Sequence, residues 1–126
     1  MMKKLYFIYN SDDQELISYL QWLKAFSSNY DRIFIVNHST KVKIMMPDLL
    51  PYLTDNRLIV VDESGKVYLN QKAWILSLYS VKKYREWSYF FARSGNYNLI
   101  EGVALKLESS IYSIGELITQ EINKTA

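Results

Sequence analysis

His38, in Asn37-His38-Ser39-Thr40, is the single histidine of a 126-residue chain that contains no cysteine. An imidazole that acts as a general base needs a nucleophile and an orienting acid beside it. Ser39 is adjacent, but consecutive residues of a strand point to opposite faces, so the two cannot pair directly. A lone histidine after a strand reads instead as an exposed or hydrogen-bonded loop residue. The absence of cysteine excludes disulfides, thiolate metal sites and cysteine nucleophiles. Asp12, Asp13 and Glu15 lack the alternating spacing of a calcium loop, and a helix start accounts for them. Asp62-Glu63-Ser64-Gly65 reads as a turn. Asp48 and Asp55 flank a proline-containing segment, and Glu101, Glu108 and Glu116 are spread along the last helix. A carboxylate pair for acid–base work needs one member in an apolar pocket, which nothing in the sequence indicates. The glycines number four and are isolated, so there is no P-loop and no dinucleotide fingerprint. The sequence therefore assigns no catalytic residue, no metal site and no cofactor.

Apolar residues make up 49% and charged residues 22%, a globular balance with enough apolar mass for one core. The 11 Tyr, 5 Phe and 3 Trp suit that core, with some left for an interface. The net charge of +2 comes from 15 basic and 13 acidic residues that are well mixed, whereas a nucleic-acid binder concentrates its basic residues on one face. The nearest cluster is Lys82, Lys83, Arg85 and Arg93, interleaved with Tyr84, Trp87, Tyr89, Phe90 and Phe91. It reads as a solvated turn whose long stems lie over an apolar patch. Leu5 to Tyr9 is too short for a signal-peptide core of about 7–15 residues, and no run approaches the roughly 18 of a membrane span. The expectation is a cytoplasmic chain with no nucleic-acid partner and no membrane span, peripheral membrane association being disfavoured.

The elements that would position these residues follow from periodicity. Leu5-Tyr-Phe-Ile-Tyr9 is a strand covered on both faces. Ser11 fits an N-cap, with Gln14 three residues on as in a capping box, and Leu16, Tyr19, Leu20, Leu23 and Phe26 form the buried stripe of the helix that follows. Arg32 to Asn37 is a second strand. Between Lys41 and Thr54, Pro47 can open a short helix that Pro51 interrupts. Asn56 to Val61 and Lys66 to Asn70 form a hairpin. Helical segments cover Gln71 to Val81 and Glu86 to Arg93. A final helix carries Ile100, Val103, Leu107, Ile111, Ile114 and Ile118 on one stripe. The order β-α-β-α-β-β-α plus two helices predicts an α/β fold of thioredoxin-like type. It is a four-stranded mixed sheet with flanking helices and a helical C-terminal extension. One domain spans 1–126, with the sheet in 1–70 and the helical part in 71–123.

Leu58-Ile-Val-Val-Asp-Glu-Ser-Gly-Lys-Val-Tyr68, Lys72-Ala73-Trp74, Leu78, Tyr84-Arg85 and Trp87 together resemble the DCC family. Its members are described as predicted thiol–disulfide oxidoreductases of thioredoxin-like fold. Tyr9-Asn10 stands where that family has Tyr-Asp. The resemblance lays Asp12 on the family's aspartate, Asp13 on its first cysteine and Leu16 on its second, and Ser109-Ser110 on an Asn-Arg pair. It therefore implies a degenerate member whose redox motif is gone, because neither a carboxylate nor an alkyl chain can form a mixed disulfide. The expected function is a non-catalytic domain that binds another protein, with Tyr9, Asn10, Asp12 and Asp13 as the binding edge. The alternatives are an enzyme with chemistry other than thiol exchange, or peripheral membrane attachment through Trp74, Tyr84, Trp87, Tyr89, Phe90 and Phe91.

Overall fold

Strand β1 (Lys3–Tyr9) runs through the middle of the sheet because it is apolar on both sides: Leu5 and Phe7 enter one core, and Ile8 the other. The computed structural model describes residues 3–93, 95–107 and 113–125. β2 (Tyr30–Val36) lies parallel to β1 on one side, and β3 (Leu58–Asp62) antiparallel on the other; β4 (Val67–Tyr68) pairs antiparallel with β3, giving the order β2-β1-β3-β4. The chain is an α/β protein with an open, mixed sheet of four strands. β3 has the continuous apolar run of a strand covered twice, with Leu58 and Val60 on one face and Ile59 and Val61 on the other.

The first face is thickly covered. α1 (Gln14–Lys24) and α3 (Gln71–Tyr79) lie on it, and α4 (Arg85–Ala92), α5 (Ile100–Leu107) and α6 (Ile114–Thr125) complete its core through Phe91, Ile100, Val103, Leu117 and Ile118. The Tyr19 hydroxyl meets Ser77 Oγ at 2.8 Å in the buried seam between α1 and α3. Ser77 already donates to the Trp74 carbonyl at 2.6 Å, so Tyr19 is the donor in this pair. Arg32 on β2 donates to the carbonyls of Leu23 and Phe26, both at 2.8 Å, and so satisfies the open end of α1. Among the described residues, the second face carries only α2 (Thr40–Met45) and a 3₁₀ turn, Pro47–Tyr52, over a smaller cluster of Ile8, Ile35, Val42, Leu49, Ile59 and Val61.

Four expectations are corrected. The N-cap of α1 is Asp13, whose Oδ1 accepts from Leu16 N at 3.2 Å; the helix therefore opens two residues later than a Ser11 cap requires. Asn10 is the reason: it accepts from Asp12 N through its side chain and from Asp13 N through its carbonyl, so residues 10–13 form a turn. Pro51 does not break the segment after Pro47, because both prolines fit one 3₁₀ turn. β4 spans two residues rather than five, since Asn70 turns the chain with φ +55°. The long last helix is two helices. α6 starts afresh on a capping box, in which Ser113 Oγ accepts from Glu116 N at 3.2 Å and meets the Glu116 carboxylate at 3.2 Å. Lys106 of α5 reaches Glu121 of α6 at 2.6 Å, so the two helices pack side by side. Ile111, Glu108 and the Ser109-Ser110 pair lie outside the described residues.

Candidate functional site

One end of the sheet gathers the loop after β1, the loop after β2, the residue preceding β3 and the start of α3. At its centre, Asp13 and Arg57 form a bidentate ion pair, with Nε to Oδ2 and Nη2 to Oδ1 both 2.7 Å. Arg57 Nη1 also reaches Glu101 of α5 at 3.3 Å, and Glu15 lies 3.8 Å from Nη2. The hydrogen bond to Arg57 holds the Asp13 carboxyl below the usual aspartate range, with the Leu16 amide helping and burial opposing. The same bond holds the Arg57 guanidinium above its ordinary value. Planar fork-to-carboxylate geometry of this kind is among the stronger charge-assisted contacts.

The residues expected to form a binding edge fall into two groups. Asn10 and Asp13 build the turn and the cap, and Tyr9 is half-buried against the main core. Asp12 is exposed, and its carboxylate has no hydrogen bond or ion pair among the described residues. Leu16, the remaining motif position, is fully buried in the main core.

His38 does not pair with Ser39, which caps α2 by accepting from Lys41 N at 3.2 Å. It meets Ser11 instead, with Nε2 3.2 Å from Oγ. No carboxylate contacts the histidine among the described residues. The aromatic–basic cluster resolves as packing. Trp74 and Phe91 are buried, Lys83 lies over the Phe26 and Tyr84 rings at 5.4 Å, and Arg85 lies over Tyr79 at 4.7 Å. Of its aromatic residues Trp87 and Tyr89 are exposed, as are the cations Lys82, Lys83 and Arg93. No described helix is long and apolar enough to cross a membrane. Among the described residues, no group of three or more His, Asp or Glu could hold a metal.

A polar recess of about 320 Å³ opens on the far side of Arg57, walled by Asp55, Asn70, Trp74, Asn98 and Glu101. A shallower groove of about 700 Å³ adjoins it and shares Asn70, Gln71 and Asn98. Asn70 holds φ +55° and ψ −131°, a region that favours glycine and costs another residue about 1–3 kcal/mol. Neither the ion pair nor the recess was legible beforehand. Arg57 reads only as a polar residue at the start of the Asn56–Val61 strand, and its partner is 44 positions away. No protein-family model matches the chain, and no curated protein or solved structure matches it.

Proposed function

We propose that the chain is a thioredoxin-like domain of the DCC type that has lost thiol chemistry and serves as a binding module for another protein. The strand order, with a parallel β-α-β unit followed by an antiparallel hairpin and helices on both faces, supports that fold. The Asp13–Arg57 pair carries the functional reading. At the helix start where the resemblance lays a reactive thiol, a carboxylate stands locked in two short bonds to a guanidinium. Thiolate exchange needs a nucleophilic sulfur at that point and a second one turn later; here the second position is the buried alkyl chain of Leu16. Beside it stands Asp12, exposed and with no hydrogen bond or ion pair of its carboxylate among the described residues.

The test is photocrosslinking in the native cell, with a benzophenone amino acid at Tyr9, at Asp12 or, as a distal control, at Lys124. A discrete adduct common to the first two and absent from the third is expected, and Asp12→Lys should abolish the Tyr9 adduct without changing Tm. No adduct at the edge, or equal adducts from all three positions, rejects the reading.

A second reading, a hydrolase-like activity, rests on the Ser11–His38 contact, which has nucleophile–base spacing but no third orienting group among the described residues. Labelling of Ser11 by a fluorophosphonate, lost in His38→Ala, would favour it over the binding role.

A further inference from the structure

From the recess beside Arg57 we infer that the partner is recognised through an extended peptide segment carrying one basic side chain. The inference rests on the protein-binding reading above and names the chemistry of what is bound. Three features of the recess carry it.

First, the side chains of Asn70, Gln71 and Asn98 line both the recess and the groove, and none has a hydrogen bond among the described residues. A carboxamide both accepts and donates, as a peptide group does, so the three can pair with a main chain whatever its side chains.

Second, the charge is unbalanced. Arg57 spends its fork on Asp13 and its remaining nitrogen on Glu101, which leaves Asp55 without an ion pair at the recess wall. An added anion would meet two carboxylates and a guanidinium already engaged; an added cation meets Asp55 and Glu101 with attraction.

Third, the buried Trp74 and Leu58 form the floor of the recess beneath these polar groups, and a lysine or arginine stem can rest its methylenes there while its charged head reaches the carboxylates. Lys72 stands on the outer groove and disfavours a second cation there, so one basic residue is specified.

The strained backbone of Asn70 fits the same picture. Glycine would adopt that conformation without strain but would delete one of the three carboxamides.

The experiment is selection from a random heptapeptide display library on the full-length protein, followed by fluorescence anisotropy on the enriched peptides. Enrichment of sequences with one Lys or Arg is expected. Changing that residue to Glu should weaken binding at least tenfold. Asp55→Asn, which disturbs no ion pair of Arg57, should weaken it at least fivefold. Asn70→Gly should weaken it fivefold or more while Tm stays level or rises. Enrichment without a basic residue, no enrichment at all, or binding indifferent to Asp55→Asn and Asn70→Gly overturns the inference. Preference for an oligosaccharide over every peptide, measured at the same residues, also overturns it. Edge crosslinking at Tyr9 and Asp12 that succeeds while this selection fails removes only the peptide recess; failure of both removes the protein-binding reading as well.

Discussion

Asp13 carries two jobs on one carboxylate: it caps α1 and it holds Arg57. Asparagine retains the first and removes the second, so Asp13→Asn isolates the ion pair. Because Arg57 is about one-third exposed, with a side-chain accessibility of 36%, solvent screening limits the pair to about 1 kcal/mol, far below a fully buried pair. The pH dependence follows from the lowered carboxyl pKa. The stabilisation is complete above the unfolded aspartate value of about 3.9 and is lost as pH falls through the lower folded value. Urea denaturation at pH 7 should therefore separate wild type from Asp13→Asn, and the gap should close toward pH 2.5. A gap that stays constant across that range would mean that the ion pair contributes nothing.

At the scale of elements, the seam between α1 and α3 depends on one buried hydroxyl pair. Ser77→Ala leaves the fully buried Tyr19 hydroxyl without its acceptor and should cost about 1–3 kcal/mol. Tyr19→Phe costs less, about 1 kcal/mol, because Ser77 keeps the Trp74 carbonyl. The double variant should cost less than the sum, read from denaturant midpoints; strict additivity would mean that the two hydroxyls do not interact. The α5–α6 contact makes a second test. A Cβ on Gly102 would stand 2.5 Å from Glu121 Oε2, within a carboxylate that also pairs with Lys106. Gly102→Ala should thus be near neutral, its helix-propensity gain of about 0.5–1 kcal/mol offset by the displaced ion pair. In a Glu121→Ala background the same change should stabilise by about that gain in thermal unfolding.

Across the whole molecule the two faces of the sheet are unequal. Among the described residues, five helices cover the first face, while the second has one six-residue helix and a 3₁₀ turn, on which Ile44 and Met45 remain 73% and 65% exposed. Few buried contacts mean low local opening free energy, so amides of residues 40–52 should exchange by sub-global opening. Those of β1 and β3 should require global unfolding. Native-state hydrogen exchange in low denaturant reads this directly; equal protection across both faces would contradict it.

The sequence by itself determined what local chemistry encodes. The continuous apolar runs mark β1, β2 and β3, the helical stripe marks α1, and the absence of cysteine closes thiol chemistry. A local signal also marked the start of α6, where Ser113 and Glu116 form a capping box inside an apolar stripe that reads as one unbroken helix. Tertiary structure alone decided the site. Antiparallel register sets Leu58 opposite Tyr9 and so delivers Arg57 to the turn that ends in Asp13. Parallel register sets Val36 opposite Tyr9, and the Asn37 amide donates to the Tyr9 carbonyl at 2.8 Å, which brings His38 to Ser11. Pairings of this kind depend on strand order and register across dozens of residues, whereas periodicity and capping are satisfied within a turn or two of chain.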